Sequence, residues 1–229
     1  MLKDPPILTI RREFKRPSRA LIAKLAGAQT GHIVDALQGR GALEHHVKPV
    51  DPERASFVGA ALTCECGAND NLAIMAALVI AQPGDVIIAA CDGFTATAGV
   101  GDNLAMMAKN KGVAAVVTDG MARDRDGIVA AGLPVFARGI TPNSCVRSGP
   151  GKLGFAIVCG GVAVEPGDIV LGDRDGVVVI PQAQLESVIA ALSDIRRMEE
   201  ETQKKIRAGM THLDSVAELL QSDRVAYVD

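Results

Sequence analysis

Segments that are continuously apolar and rich in β-branched residues alternate along this chain with segments of helical pattern. Residues 56–67, 86–91 and 113–117 are strand-like, whereas residues 71–81 and 101–112 have the pattern of helices. Strands of a parallel sheet are buried on both faces, and the chain between them usually forms a helix. The alternation therefore predicts an α/β protein whose parallel sheet is covered on both faces.

Residues at the ends of these segments mark the predicted helix boundaries. Ser18 and Thr30 are predicted to cap the first two helices, because their hydroxyl groups can accept N–H groups of the first turn. Either Asn69 or Asp70 is predicted to cap the third helix in the same way. Gly112 is predicted to end the helix that starts near residue 101.

The second half of the chain has shorter apolar segments followed by a long helical pattern. Strands are predicted within residues 133–137, 155–159, 168–172 and 176–180, and a helix from Pro181 to about Ala208. The sequence Pro-Gly-Asp occurs at 83–85 and again at 166–168, which predicts the same turn used twice. The first sixteen residues are predicted to be irregular, and residues 92–100 to form a loop.

A chain of 229 residues is long enough for one domain with a substantial core. Residues 1–181 are predicted to form this α/β core with the functional site, and residues 182–229 to form a C-terminal helical extension. The extension is rich in charged residues. Such a sequence is typical of a helix that is solvated or packs on another subunit.

Composition argues against several classes of function. The net charge is −3, with no Trp and one Tyr, so we expect no nucleic-acid partner. No apolar run has the length of a membrane span, and the charged, proline-containing N-terminus is unlike a signal peptide. The five cysteines lack zinc-type spacing, which favours buried, reduced thiols, with Cys64 and Cys66 on one face of a strand. We therefore expect a cytoplasmic protein without a membrane partner.

Two short motifs carry the chemistry that the sequence indicates. Gly101-Asp102-Asn103-Leu104 begins a predicted helix, whose free N–H groups and partial positive charge suit an anion. Arg123-Asp124 follows a buried strand; the arginine suits a carboxylate or an enolate, and the aspartate can hold a hard divalent metal. Both motifs are expected at the carboxyl ends of strands, where such sheets bind ligands. Together they could bind a 2-oxo acid, although an ordinary helix start and a surface ion pair remain open.

The order and spacing of five segments resemble the regulator of ribonuclease activity A family, and within it the class II pyruvate aldolases. The segments are PGDVIIAAC (83–91), GDNL (101–104), TDGMARD (118–124), LPVFARG (133–139) and GGVAVEPGDIVLGDRDGVVVIP (160–181). The aldolases cleave 4-hydroxy-4-methyl-2-oxoglutarate or 4-carboxy-4-hydroxy-2-oxoadipate. The resemblance, from about Ser18 to about Gly209, implies an α/β/α layered domain with a mixed, largely parallel sheet. It also implies a homotrimer or homohexamer with sites between subunits.

The resemblance assigns roles to residues of both motifs. The backbone N–H groups of 101–104 would bind the pyruvate carboxylate, and Asp102 would hold a water close to a metal ion. Asn103 stands where those aldolases carry an apolar residue. Arg123 would bind the 2-oxo oxygen or the carboxylate of the substrate. Asp124 would be the one direct protein ligand of Mg²⁺ or Mn²⁺.

A run of glutamates in the C-terminal helix gains a role only through the resemblance. From the residues alone, this run would be a solvated helix face. In the aldolases, a glutamate of this helix enters the neighbouring subunit's site and helps to bind water near the metal. Its position fits either Glu199 or Glu200.

The implied function is a divalent-metal-dependent lyase that cleaves a 4-hydroxy-2-oxo diacid into pyruvate and a second 2-oxo acid. The reaction would pass through a metal-stabilised pyruvate enolate, with oxaloacetate decarboxylation as a side activity, and would serve the catabolism of aromatic compounds. The alternative is a non-catalytic protein that binds and inhibits a ribonuclease. The shorter regulators largely lack a helix after Pro181, which favours the aldolase. A Schiff-base aldolase is disfavoured, because Lys109 and Lys111 lie at a predicted helix end.

Two acidic clusters and three histidines are weaker candidates. Residues 124–127 and 173–176 both read Asp-Arg-Asp-Gly, but neither is followed by the glutamate that completes a calcium loop. The second cluster instead predicts a hairpin turn. His32, His45 and His46 could be ligands or bases, but no matched partners accompany them in the sequence.

Overall fold

The computed structural model describes residues 6–228, in which strands and helices alternate. The strands are β1 (Leu8–Ile10), β2 (Lys48–Pro49), β3 (Phe57–Glu65), β4 (Asp85–Ala90), β5 (Ala98–Val100), β6 (Ala115–Thr118), β7 (Met121–Ala122), β8 (Val135–Ala137), β9 (Gly139–Ile140), β10 (Gly151–Leu153), β11 (Ile157–Cys159), β12 (Val162–Val164), β13 (Ile169–Gly172) and β14 (Val177–Ile180). The helices are α1 (Arg19–Ala23), α2 (Thr30–Ala36), α3 (Leu72–Ile80), α4 (Asp102–Lys111), α5 (Arg125–Ala131), α6 (Leu185–Arg207) and α7 (Asp214–Leu220). Short 3-10 helices lie at Pro52–Arg54 and Gln182–Gln184.

The strands β3, β4, β6 and β8 form the parallel centre of the main sheet. The full order is β1-β10-β3-β4-β6-β8-β2, and β13 joins β3 and carries β14 as a hairpin. Strands β10, β13 and β2 run antiparallel to their central neighbours. Every residue of β4 and β6 is buried, as their continuous apolar sequence predicts. The predicted α/β class with a mixed, largely parallel sheet is therefore confirmed.

Alternation along β3 divides the core between the two faces of the sheet. Leu62 and Cys64 point to the face on which α3 and α4 pack, whereas Ala61 points to the opposite face. The hairpin β11–β12 covers that opposite face. A further cluster packs α1, α2 and α6 against β13 and β14. Both faces of the sheet are therefore covered. Each fully buried leucine or isoleucine in these clusters contributes about 1.5–3 kcal/mol to the stability of the fold.

The first two predicted helix caps have different outcomes. Ser18 caps α1 as predicted, because its hydroxyl accepts the N–H of Leu21 at 3.2 Å. The cap prediction for Thr30 is wrong, because Gln29 is the N-cap of α2 and Thr30 is its first helical residue. The amide and hydroxyl of Thr30 instead donate to the carboxylate of Asp173. A long-range partner has replaced the local one.

The start of α3 lies within one residue of its prediction, and the end of α4 is as predicted. Asn71 is the N-cap of α3 by backbone geometry, while Asp70 accepts the N–H of Leu72 at 2.8 Å. Asp70 thus supplies the predicted cap contact from one position earlier. Gly112 ends α4 in the left-handed region with φ of 80°, a conformation that glycine adopts without a steric penalty.

The two Pro-Gly-Asp sequences form the same turn. Asp85 accepts the N–H of Gln82 at 2.9 Å, and Asp168 accepts the N–H of Glu165 at 2.9 Å. The glycine before each aspartate has φ of 89°. The predicted hairpin turn at 173–176 is also present, between β13 and β14.

Two short strands lie where the sequence predicts irregular chain. Strand β1 falls within the first sixteen residues, of which residues 1–5 lie outside the described part. Strand β5 falls within the predicted loop 92–100 and joins β7 and β9 in a second, three-stranded parallel sheet. Strands of two or three residues are too short to show a period in the sequence.

The long C-terminal helix predicted from the sequence is confirmed as α6. Its length is about 35 Å at 1.5 Å per residue. Leu185, Val188 and Leu192 are buried in the cluster that includes α2 and β14, so the extension begins as part of the core. The last turns of α6 are exposed, and residue 229 lies outside the described part. Among residues 6–228, no helix is both long enough and apolar enough to cross a membrane.

Candidate active site

Pairing of β5 with β7 brings the two sequence motifs together. Val100 and Ala122 are partners in this parallel pair, and the N–H of Arg123 donates to the carbonyl of Val100 at 2.9 Å. Gly101 and Arg123 are the residues that follow the two strands. The site therefore lies at the carboxyl ends of strands, as the motifs predict, but these strands belong to the small sheet and not to the main one.

Gly101 allows an unusually close approach of the two motifs. It is the N-cap of α4 and has no side chain to occupy the free N–H groups of the first turn. A Cβ atom at Gly101 would lie 3.0 Å from Oδ2 of Asp124 and 3.4 Å from Cγ of Arg123. A side chain here would push the ion pair back by a few tenths of an ångström, so glycine lets the start of α4 lie directly against both charged groups.

The first three residues of α4, Asp102, Asn103 and Leu104, contribute different groups to the site. Asp102 accepts the N–H of Asn103 at 2.6 Å, and the Asn103 side chain is exposed. The side chain of Leu104 is buried in the core, so that this residue offers the site mainly its backbone. A Cβ atom at Gly127 of α5 would lie 2.6 Å from Cβ of Asp102. Close packing of α5 on α4 therefore fixes the position of Asp102.

Arg123 and Asp124 form a half-exposed ion pair that bridges two segments of the site. The Arg123 Nε to Asp124 Oδ2 distance is 3.1 Å, and Nη1 of the arginine donates to Oγ of Ser144. An exposed pair adds little to stability. Asp124 nevertheless adopts a left-handed backbone with φ of 57°, and its side chain does not cap α5, although it occupies the N-cap position. Aspartate is one of the few non-glycine residues that adopt this conformation at low cost.

The cleft between the motifs has a volume of about 100 Å³. Its lining includes four residues that sequence reasoning missed: Asn71, Ser144, Cys145 and Arg147. They lie at the start of α3 and in an irregular segment with no motif, so no signal in the sequence could have identified them. Burial raises the pKa of the Cys145 thiol, which therefore stays protonated near neutral pH.

Asn71 and Arg147 give the cleft additional polar groups. The side-chain amide of Asn71 donates to the carbonyl of Gly99 at 2.9 Å. Its Oδ1 atom is buried and has no partner among the described residues, so it can accept a hydrogen bond from a ligand. Arg147 is an exposed second arginine in the lining. The cleft therefore has a second guanidinium, besides that of Arg123, that can bind an anionic group.

The donor set of the cleft fits a divalent ion of the Mg²⁺ type. Within the part of the chain that the structure describes, no cluster of three or more His, Cys, Asp or Glu side chains could hold a metal. The cleft instead supplies two separate carboxylates, those of Asp102 and Asp124. Mg²⁺ is commonly bound by one or two carboxylates together with waters and substrate oxygens. The carboxylate of Asp124 makes no capping bond and pairs with Arg123 through Oδ2, so Oδ1 is the oxygen that would hold the ion.

Glu199 and Glu200 lie on α6 and do not line this cleft within one chain. Oε2 of Glu199 contacts Nε2 of His32 on α2, and Oε1 accepts from the side-chain amide of Gln203 at 3.1 Å. Glu200 is exposed. Either glutamate could meet an Arg123 site only in a second copy of the chain. The rings of His45 and His46 contact each other at a tilt of 39°, with centroids 3.8 Å apart, and neither residue lines the cleft.

The fold is mixed α/β, and its cleft places the start of α4 beside Arg123 and Asp124. The chain belongs to the RraA-like family, whose model, described as Aldolase/RraA, matches residues 30–179. The resemblance inferred from the sequence is thereby confirmed. A Halalkalibacterium halodurans protein provisionally named 4-hydroxy-4-methyl-2-oxoglutarate aldolase is 41% identical over 157 residues, which are 69% of this chain and 74% of that protein.

Two solved structures carry the name of the regulators in the same family. Streptomyces coelicolor RraAS2, described as an unusual member of the RNase ES inhibitor RraA family, is 26% identical with a TM-score of 0.74. It covers 83% of this chain and 100% of its own. The RNA-processing inhibitor RraA from a Thermus species is 30% identical with a TM-score of 0.61, and covers 67% of this chain and 93% of its own. The relatives of this chain thus include one protein named as an aldolase and two named as RraA inhibitors or members of that inhibitor family.

Proposed function

We propose that this chain is a divalent-metal-dependent lyase that cleaves a 4-hydroxy-2-oxo diacid into pyruvate and a second 2-oxo acid. One observation carries the proposal: pairing of β5 with β7 places an open helix N-terminus beside Arg123 and Asp124 in one cleft. The aldolase name of the Halalkalibacterium relative supports the same reaction.

The cleft can bind the reacting end of such a substrate with groups fixed before the reaction. The N–H groups at the start of α4, apart from that of Asn103, which donates to Asp102, bind the carboxylate next to the ketone. The guanidinium of Arg123 donates to the ketone oxygen, and its contacts with Asp124 and Ser144 hold its orientation. Arg147 binds the distal carboxylate, so we expect a preference for diacids. Asp124 would hold Mg²⁺ or Mn²⁺, which polarises the ketone when bound.

Cleavage requires removal of the proton from the C4 hydroxyl. Asp102 accepts this proton through a water in the cleft. The C4–O bond then becomes a carbonyl, the C3–C4 bond breaks, and its electron pair moves into the enolate of pyruvate. Arg123 stabilises the negative charge that develops on the enolate oxygen. Protonation at C3 releases pyruvate. Decarboxylation of oxaloacetate forms the same enolate, so we propose it as a side activity.

The proposal includes a homotrimer or homohexamer in which α6 of one copy reaches the site of the next. Apolar side chains exposed on α6 and α7 support an intersubunit role for this region. Met198 and Ile206 of α6 are both 55% exposed, and Val216 and Leu220 of α7 are also exposed. Exposed apolar side chains become buried when such a region packs on a second copy, which is how contiguous apolar surface is used at protein contacts. Glu199 or Glu200 would enter the neighbouring site by this contact.

The decisive experiment measures pyruvate release from a panel of 4-hydroxy-2-oxo diacids and from oxaloacetate. We expect turnover with Mg²⁺ or Mn²⁺, its loss in excess EDTA, and its return when metal is restored. Asp124→Asn keeps the shape of the side chain and removes its charge, so the variant should behave like the chelated protein. Full turnover of the wild type in excess EDTA would contradict metal dependence.

The second candidate is a protein that binds and inhibits a ribonuclease, as the names of the two solved relatives indicate. Length does not separate the candidates, because the Streptomyces protein covers 83% of this chain. The cleft separates them: inhibition through surface contacts would survive Arg123→Ala, whereas lyase turnover would not. Inhibition of a ribonuclease E-type enzyme together with no pyruvate release would favour the regulator.

A further inference from the structure

Two buried thiols lie side by side beneath the cleft. Parallel pairing joins Glu65 of β3 with Ala90 of β4, and the N–H of Cys66 continues this ladder to the carbonyl of Ala90 at 2.9 Å. Cys66 and Cys91 are therefore direct neighbours at the carboxyl ends of these strands, and both belong to the core under α3. Neighbouring strands are about 4.8 Å apart, within the Cα separation of about 4.4–6.8 Å that a disulfide spans.

The sulfur of Cys91 is the better nucleophile of the two. The thiol of Cys66 donates a hydrogen bond to it, and Oγ1 of Thr118 lies 3.5 Å away. Thr118 accepts the N–H of Gly120 at 3.0 Å, which leaves its hydroxyl proton for Cys91. The bond from Cys66 is the largest cause that lowers the pKa of Cys91, whereas that same bond, followed by burial, raises the pKa of Cys66. A lowered pKa favours the reactive thiolate.

Cys91 is connected to the candidate active site on two sides. It lines a small cleft together with Gly99 and Cys145, and both of these residues also line the candidate active site. On the other side, a Cβ atom at Gly120 would lie 3.1 Å from Cβ of Cys91. Gly120 precedes β7, which leads directly to Arg123. A shift of the Cys91 side chain is therefore transmitted to the segment that carries the arginine.

We propose that Cys66 and Cys91 form a redox-active dithiol, which a peroxide converts into a disulfide that disturbs the neighbouring cleft. The thiolate of Cys91 attacks one oxygen of hydrogen peroxide, the O–O bond breaks, and Cys91 becomes a sulfenic acid. The departing hydroxide takes up the proton that the Cys91 thiol had released and leaves as water. The sulfur of Cys66 then attacks that of Cys91, the S–O bond breaks, and a second water carries away the thiol proton. In sum, two thiols are oxidised and one peroxide is reduced to two waters.

The chemistry of the dithiol is independent of the lyase activity, and only its effect on turnover rests on the proposed function. The test exposes the folded full-length chain to hydrogen peroxide, blocks remaining thiols with N-ethylmaleimide in denaturant, and maps the digest without reduction. We expect one crosslinked peptide that joins Cys66 to Cys91. Cys66→Ser keeps a hydroxyl donor beside Cys91 and cannot form the disulfide, so Cys91 should remain as a sulfenic acid that dimedone traps. Cys64→Ala is the matched control, because Cys64 lies on the same face, and it should keep the crosslink.

Two results would overturn the dithiol assignment. One is a crosslink between another pair, such as Cys91 with Cys145, and the other is a wild-type chain whose Cys66 and Cys91 both remain free thiols.

In the same samples, pyruvate release should fall on oxidation and return with dithiothreitol, because a shift of about 1 Å in a positioned group can cost about 100-fold in rate. Unchanged turnover of the crosslinked protein would overturn the link to the cleft. A reduced protein without turnover would contradict the lyase alone, since the crosslink is read separately.

Discussion

Arg123 has more defined contacts than an ordinary surface arginine. Its backbone N–H joins β5, its Nε pairs with Asp124 at 3.1 Å, and its Nη1 donates to Ser144. The guanidinium thus reaches the cleft with a fixed orientation although its side chain is 37% exposed. A fixed guanidinium stabilises an enolate oxygen best, because no rearrangement is then needed when negative charge develops on that oxygen.

Substitution of Arg123 should therefore affect turnover far more than folding. We expect Arg123→Lys to lose roughly 10²–10³ in kcat, because an ammonium group cannot reproduce the planar fork and one preorganised donor is worth about this factor. Steady-state pyruvate release and thermal unfolding check the two effects separately. If Arg123→Ala turned over every accepted substrate at the wild-type rate, the arginine would have only a structural role.

Arg147 should determine the preference for a second carboxylate. Loss of a hydrogen-bonded charge typically costs about 1.5–3 kcal/mol, or roughly 10- to 100-fold in affinity. We expect Arg147→Met to raise KM by this factor for a 4-hydroxy-2-oxo diacid, and to leave KM for a 4-hydroxy-2-oxo monoacid unchanged. Arg125→Met is the control, because Arg125 is exposed and does not line the cleft. An equal loss on both substrates would argue against contact with the distal carboxylate.

At the scale of elements, packing of α5 on α4 is the device that positions Asp102. A Cβ atom at Gly127 would meet Cβ of Asp102 at 2.6 Å, so Gly127→Ala must displace one helix from the other. Overpacking of this kind costs about 1–3 kcal/mol, which exceeds the gain of up to about 1 kcal/mol from alanine in a helix. We expect a lower midpoint in urea unfolding together with reduced turnover.

Gly31→Ala in α2 is the matched control for this prediction. A Cβ atom there has no neighbour within 4 Å, and Gly31 is a helical residue. Alanine should therefore leave stability unchanged or raise it by about 0.5–1 kcal/mol. If both glycine variants had the same unfolding midpoint, the helix contact at Asp102 would be looser than the structure indicates.

The elements that the sequence predicts are those whose information is local. The buried strands, the repeated Pro-Gly-Asp turn and the long helix α6 each follow from a period or a turn signal within a few residues. The small sheet of β5, β7 and β9 does not, because each of its strands is too short for a pattern. The Thr30 cap failed because a partner 143 residues away, Asp173, competes for the hydroxyl. Asn71, Ser144 and Arg147 escaped detection for the same reason: only tertiary structure brings them to the cleft.

At the scale of the whole molecule, the position of Glu199 indicates how the site would be completed. In one chain it contacts His32 on α2, and no glutamate among residues 6–228 lines the cleft with Arg123. The second half of α6 extends beyond the core with charged and apolar side chains exposed. A site shared between two copies would explain both observations, because α6 could then supply its glutamate to a neighbour and bury its apolar groups in the same contact.

Mixed oligomers can test this sharing directly. Arg123→Ala and the double variant Glu199→Ala/Glu200→Ala should each be nearly inactive, because every site lacks one required group. In a cyclic oligomer built from equal amounts of the two chains, about one quarter of the sites would combine an intact arginine with an intact glutamate from the next copy. Co-refolding of differently tagged chains should therefore restore a fraction of turnover well above either parent. If verified mixed oligomers stay inactive, the glutamates do not act across the interface. If the double glutamate variant alone has wild-type turnover, Glu199 and Glu200 have no role in the reaction and belong to a solvated helix face.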